Sequence, residues 1–304
     1  MVSAWRQGGA AGNTKPKVGK GLVMRWKGRR GSSNIEDRRG RRGGGGGLQI
    51  GGVGVLAVLA IGYFFGIDVT PLLQDGTLSS GGTTEITEAD RLEGEFVSVT
   101  LADTEEVWAD VFRNQLGRTY TPATLVLFKG VTQSPCGGAS GATGPFYCPS
   151  DNKVYLDTNF FTTLARKLGA GGDFAAAYVV AHEVAHHVQD ELGILGQASS
   201  ARARVSETES NAISVRVELQ ADCFSGVWAN QAQARFDSLE QGDLEEAVNA
   251  ARQIGDDTLQ RNAGQVPQPH TFAHGTSAQR KRWFETGFRT GQVAACDTFA
   301  AEQL

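Results

Sequence analysis

Two histidines one helical turn apart, His182 and His186 with Glu183 between them, constrain this chain more than any other feature. Around them, Asp173 to Gly193 carries Ala181, Val184, Ala185, Val188 and Leu192 at helical spacing, which predicts a helix with a buried stripe beside the histidines. Asp173 suits the N-cap, and Gly193 the left-handed turn that closes a helix. Residues four apart on a helix project side by side, so two imidazoles can share one tetrahedral Zn²⁺ at about 2.0–2.1 Å. Glu183, offset around the helix, is placed to act as general base on a metal-activated water. The bland alternative is a surface helix that happens to carry histidines. Three of the chain's five histidines, His182, His186 and His187, crowd into one Ala- and Val-rich turn, where unliganded imidazoles would need other buried partners.

A catalytic zinc needs a third protein ligand and an open fourth position. Ser206-x-x-Glu209 is a capping box that predicts a long helix reaching about Phe236. Glu218 and Asp222 share one face of it, among Val215, Val217, Leu219, Phe224, Val227 and Trp228. Buried carboxylates need partners. Glu218 is therefore the expected third ligand, and Asp222 the acceptor for the second N–H of a ligand imidazole, fixing its tautomer. A solvated polar face is the competing reading, and it sits badly beside so much apolar surface.

Charge divides the chain. Residues 1–47 hold 12 Lys and Arg against Glu36 and Asp37, whereas the rest holds 17 basic and 31 acidic residues. Leu48 to Ile67 is uncharged, and twenty helical residues cover about 30 Å, the thickness of a bilayer core. A buried core helix and a cleaved signal peptide are the rivals; the long leader and the lack of a small-residue cleavage site weigh against the second. The expectation is a signal anchor with residues 1–47 as a basic cytoplasmic tail, 48–67 as a transmembrane helix, 68–88 as a stalk and 89–304 as an exported domain. The expected arrangement is that of a single-pass membrane protein. Arg25, Lys27, Arg29, Arg30, Arg38, Arg39, Arg41 and Arg42 could contact nucleic acid, but beside a membrane span anionic lipid explains them more simply, and no nucleic-acid partner is expected. Cys136, Cys148, Cys223 and Cys296 contain no C-x-x-C and read as disulfides of an exported domain. Of three pairings, Cys136–Cys148 with Cys223–Cys296 is preferred, and the sequence alone does not decide.

Elsewhere the pattern predicts helices at Ala89–Leu116, Asn159–Lys167, Asp243–Gln253 and from about Thr276, with strands at Ala123–Phe128 and Lys153–Asp157. The run after Gly193 reads as an exposed loop. Mostly helices with a small sheet before the histidine helix is an α+β arrangement. The strand Lys153–Asp157 is the candidate to pair with an extended substrate.

The H-E-x-x-H turn resembles the zincin metallopeptidases, and with Glu218-x-x-x-Asp222 the gluzincin branch of them. CGG…GPFYCP, KVYLD, AHEVAHHVQ, ELQADC, GDD, HGTSAQR, W-F and CDTF follow in the order found in the bacterial neutral zinc metallopeptidase family, and the MRWKGRRGSSNIEDRRG leader is similar to that family's N-terminus. The resemblance implies a mainly helical zincin-like domain behind one transmembrane helix: a membrane-anchored, one-zinc peptidase acting on peptides or proteins outside the cytoplasm. His182, His186 and Glu218 would hold the metal and Glu183 would be the general base. His274 corresponds to an oxyanion-stabilising histidine of related zincins, or else only leads into a helix capped by Thr276 or Ser277. Arg280 is a weaker candidate for substrate contact, His187 reads as structural, and His270 has no role. From a different class, a non-catalytic zinc-stabilised scaffold at the cell envelope would need the three ligands but not Glu183.

Overall fold

The computed structural model describes residues 24–40, 86–140 and 144–304. The expected span at 48–67, and all but the last three residues of the stalk, lie outside the described residues. Among those described, no helix is long and apolar enough to cross a membrane.

The order is strand β1 (Ile35–Asp37), helix α1 (Glu88–Val111), strands β2 (Thr124–Phe128), β3 (Val131–Ser134), β4 (Gly137–Ser140), β5 (Phe146–Cys148) and β6 (Lys153–Asp157), then helices α2 (Asn159–Arg166), α3 (Asp173–Glu191), α4 (Ile194–Arg202), α5 (Glu207–Phe236), α6 (Asp243–Gln253), α7 (Asp256–Asn262) and α8 (Ser277–Thr290). The fold is α+β and mainly helical. Four strands form one sheet in the order β1-β2-β6-β5, with β1, β2 and β6 parallel and β5 antiparallel to β6. β3 and β4 make a separate hairpin. Leu125, Leu127, Val154 and Leu156 turn one face of the sheet into a large core shared with α1, α3 and α5. Both faces of central β2 and β6 are buried, as their near-continuous apolar sequences require.

Local chemistry accounts for most boundaries. Thr87, Ser206 and Thr276 each cap a helix with a reciprocal capping box, to Asp90, Glu209 and Gln279. Gly193 takes the left-handed conformation that ends α3, with φ 77°. Gly172, not Asp173, holds the N-cap position of α3, and the backbone N–H of Phe174 is met by Glu246 instead. The segment after Gly193 is not a loop: α4 starts immediately, with Ala198 buried. Cys136–Cys148 and Cys223–Cys296 are both disulfide-bonded, as preferred.

The N-terminal arm departs most from expectation. Residues 24–40 are not a separate tail; they pack on the domain. β1 pairs with β2 in register, Ile35 beside Leu125 and Asp37 beside Leu127, with Leu125 N–H donating to Asn34 O at 2.8 Å and Arg38 N–H to Leu127 O at 2.7 Å. Met24 and Trp26 are buried in the main core, and the Trp26 ring meets Phe96 edge-on at 5.6 Å. The arm's described arginines have acidic partners on the domain or within the arm. Arg29 grips Asp103 through two hydrogen bonds of 2.6 and 2.8 Å, Arg30 reaches Glu106 and Arg25 reaches Glu240. Arg39, itself buried, binds Asp37 and the Asp90 carbonyl. Exposed pairs of this kind add little each, but two-pronged, partly buried Arg29–Asp103 belongs to the stronger class. Of the arginines read from sequence as a lipid-facing or nucleic-acid-facing run, Arg25, Arg29, Arg30, Arg38 and Arg39 are engaged by the protein itself, and Arg41 and Arg42 lie outside the described residues.

Trp26→Ala should destabilise the protein by about 3–5 kcal/mol, measured by denaturant unfolding. Hydrogen bonds from Arg38 and Lys153 hold the Glu36 carboxyl down to about 2 from its ordinary 4.5. A depressed carboxylate stabilises the fold fully above about pH 4.5, and that contribution is lost as pH falls toward 2. The unfolding midpoint should drop across this window, and drop less in Glu36→Gln.

Candidate metal centre and active site

α3 and α5 pack side by side, and the shared face brings three donors together. His182 Nε2 lies 3.2 Å from Glu218 Oε2, and His186 Nε2 lies 3.6 Å from Glu218 Oε1. All three ligand atoms fall within 4.8 Å of one another. Donors bound tetrahedrally at about 2.0–2.1 Å stand about 3.3 Å apart, close to the two histidine–Glu218 separations, so the set suits one zinc ion. Two imidazoles and one carboxylate, with no fourth donor grouped with them among the described residues, are the composition of an open zinc site.

Each imidazole is oriented from behind. Asp222 Oδ1 is 3.0 Å from His182 Nδ1, at an angle short of ideal for a hydrogen bond, while His186 Nδ1 is 2.9 Å from Gln189 Oε1. Gln189 is fully buried and donates its own amide to Val217 O and Gln220, so its carbonyl is held facing His186. Asp222 is equally buried and receives two more donors. Arg280 contacts it through Nε at 2.8 Å and Nη2 at 2.9 Å, and Tyr178 donates its hydroxyl at 2.5 Å. Arg280 is 2% exposed, so its substrate-contact reading gives way to a supporting one behind the ligand. Neither Gln189 nor Tyr178 was read from the sequence; both lie on α3 at helical offsets from the histidines, which was the available signal.

Two glycines make this support possible. α8 crosses α5 so closely that a Cβ on Gly287 would stand 1.8 Å from Cys223 O, and one on Gly226 would stand 2.1 Å from Phe284 O. Backbone contact at that crossing carries Arg280 to Asp222. The Cys223–Cys296 disulfide ties the chain beyond α8 to the same part of α5.

His274 faces the same space. Its Nδ1 is 3.1 Å from Asp256 Oδ1, and buried Asp256 also accepts the backbone N–H groups of His274 and Gly275. Burial opposes charge on His274, but the Asp256 hydrogen bond and nearby Glu218 outweigh it and raise its pKa above the usual value. The ring remains 43% exposed. Burial pushes the Glu183 carboxyl up, against the pull of His182 and His186. His182, Glu183, His186, Glu218 and His274 all line one cavity of about 450 Å³, whose other walls include Phe146, Tyr147, Phe160, Leu168, Leu195 and Ile254. His187 stands apart, bonded to Thr121 O and close to the Tyr147 hydroxyl, and is structural as expected. His270 lies exposed with no part in the site.

β6 is interior, flanked by β2 and β5, so it cannot take an added strand. The edge beside the cavity belongs to β5, and residues 144–147 leading into and along it line the cavity wall.

Residues 24–299 match the family described as "Putative neutral zinc metallopeptidase", and the chain belongs to that family. It is 45% identical to the uncharacterized protein YpfJ of Escherichia coli over 285 residues, 91% of this chain and 99% of that one. It is also 42% identical to an uncharacterized protein of Mycobacterium tuberculosis over 195 residues, 61% of this chain and 65% of the relative. No solved structure matches the chain.

Asp222→Asn should weaken zinc binding about 10–100-fold in chelator competition, because the amide leaves Arg280 without a counter-charge and His182 without a fixed tautomer.

Proposed function

We propose that the chain is a zinc-dependent peptidase that hydrolyses peptide bonds outside the cytoplasm, in a zincin-like site. The observation that carries this reading is the buried Glu183 carboxyl, which lines the same cavity as the His182–His186–Glu218 donor set. A zinc-stabilised scaffold has no use for such a group. Zinc, held by those three residues, would supply the Lewis acidity that acidifies a water and polarises the scissile carbonyl. Glu183 takes the proton from the attacking water and later delivers it to the leaving amine. His274, held at Nδ1 by Asp256, donates through its other ring nitrogen to the oxygen that becomes negative as the carbonyl turns tetrahedral. The substrate lies extended along the edge of β5, adding its backbone to the sheet. The aromatic and aliphatic wall formed by Phe146, Phe160, Leu168 and Leu195 favours a large apolar side chain next to the cleaved bond.

Two disulfides fit a domain that matures in an oxidising compartment. Residues 48–67 attach it to the bacterial cell membrane.

Glu183→Gln should lower kcat about 10²–10⁴-fold on a cleaved peptide while zinc content stays at one per chain. Unchanged turnover in that variant would refute the scheme. Wild-type protein that binds zinc yet cleaves nothing from a diverse peptide library would favour the scaffold reading instead. His274→Ala should retain zinc and lose about 10²–10³ in kcat, with KM little changed.

A further inference from the structure

One helix face carries a gradient of chemistry along the cavity wall. Phe160, Thr163 and Lys167 recur at helical spacing on α2 and its C-cap, and all three line the cavity that holds the metal donors and Glu183. Seven residues of helix set the two ends of this row about 10 Å apart. The row runs from an aromatic ring, through a hydroxyl, to a cation. Phe160 and Thr163 are half-buried and Lys167 is exposed, so the charged end is the one open to solvent.

Lys167 is also the charge of this wall that nothing answers. Arg280 is paired with Asp222, and His274 with Asp256. The carboxylates of the wall, Glu183 and Glu218, would be offset by the two charges of a bound zinc ion. Among the described residues no carboxylate stands within ion-pair distance of Lys167. A lysine at the end of a helix also complements the terminal carbonyls, but Arg166 in the last turn supplies that charge, and the role needs no place on the cavity wall.

We infer that Lys167 is a specificity residue whose ammonium pairs with a carboxylate of the bound peptide, either an acidic side chain or the free chain end. This rests on the peptidase reading above and narrows its substrate class. An extended peptide advances about 3.3 Å per residue, so the 10 Å row places that carboxylate within about three residues of the apolar side chain packed on Phe160. The favoured substrate therefore joins a large apolar residue to a nearby negative charge. A lysine is a mobile point charge on a flexible stem, which selects for charge more than for one exact position. Because the group is exposed, the preference is modest and sensitive to salt.

The test uses the full zinc-loaded chain and fluorogenic peptides with a central Leu and an amidated C-terminus. Glu, Gln or Lys is placed within three residues of the Leu, on either side in turn, and a parallel set carries Gln with a free C-terminal carboxylate. Glu183→Gln reports binding of the same peptides by fluorescence anisotropy, so the pairing is read whether or not a bond is cleaved. Zinc content equal to the parent's confirms that each variant is folded. The Glu peptide should be preferred over the Gln peptide about fivefold, in affinity and in kcat/KM, with the difference lying in KM. That ratio should fall toward one in Lys167→Ala and at about 1 M salt, and Lys167→Glu should turn the preference toward the Lys peptide. A preference confined to the free C-terminus would support the pairing and identify the chain end as its source. Equal affinities for the Glu, Gln and Lys peptides, or a preference that survives Lys167→Ala, would overturn the assignment. Charge-dependent binding without any cleavage would overturn the peptidase reading and leave the pairing standing, whereas no binding of any peptide would overturn both.

Discussion

One buried carboxylate, Asp222, joins the three helices on which the site is built. It sits on α5, steadies His182 of α3, and neutralises Arg280 of α8, while Tyr178 adds a hydroxyl from α3. A guanidinium and a carboxylate taken fully out of water cost several kcal/mol each in desolvation, repaid only where geometry is good and every lone pair is used. Here it is, with two parallel Arg280 contacts and the phenol completing the set. The ion pair is a poor source of net stability for the fold as a whole, but it fixes relative position. Removing either partner would leave an isolated buried charge, so the three helices are held in the one arrangement that places His182 opposite Glu218.

That arrangement depends on backbone approach as much as on charge. The Gly226–Gly287 crossing lets α8 lie directly against α5, and only there is Arg280 short enough to reach Asp222 with both Nε and Nη2. The metal donors are thus two steps removed from a pair of residues with no side chains. The Asp256–His274 pair is supported differently, by a carboxylate that binds two consecutive backbone N–H groups and the ring together, fixing the loop and giving the imidazole a held partner.

Much of this was legible in the sequence, and the reasons differ by element. The histidine helix and α5 announce themselves through spacing and capping, both local properties written in adjacent residues. Glu218 and Asp222 could be found because carboxylates inside an apolar stripe require partners. Strand order is not local, and β6 was mistaken for an edge because nothing within Lys153–Asp157 says which neighbours it will have; its almost continuous apolar pattern was the hint of burial on both faces. α4 was hidden by a glycine that both ends one helix and precedes the next. The arm was misread because charge was counted by segment. Its arginines answer Asp103, Glu105 and Glu106, some seventy residues onward, and only Met24 and Trp26, one residue apart among the charges, marked it as core.

The parallel pairing of β1 with β2 also has a consequence in time. Register partners Ile35 and Leu125 are separated by 125 − 35 = 90 residues, and synthesis at about 5–20 residues per second puts roughly 5–20 s between their appearances. For that interval the first strand of the sheet is outside the ribosome with no mate, and the apolar run that follows it emerges before its mate does. The nascent arm therefore exists first without the sheet it will join.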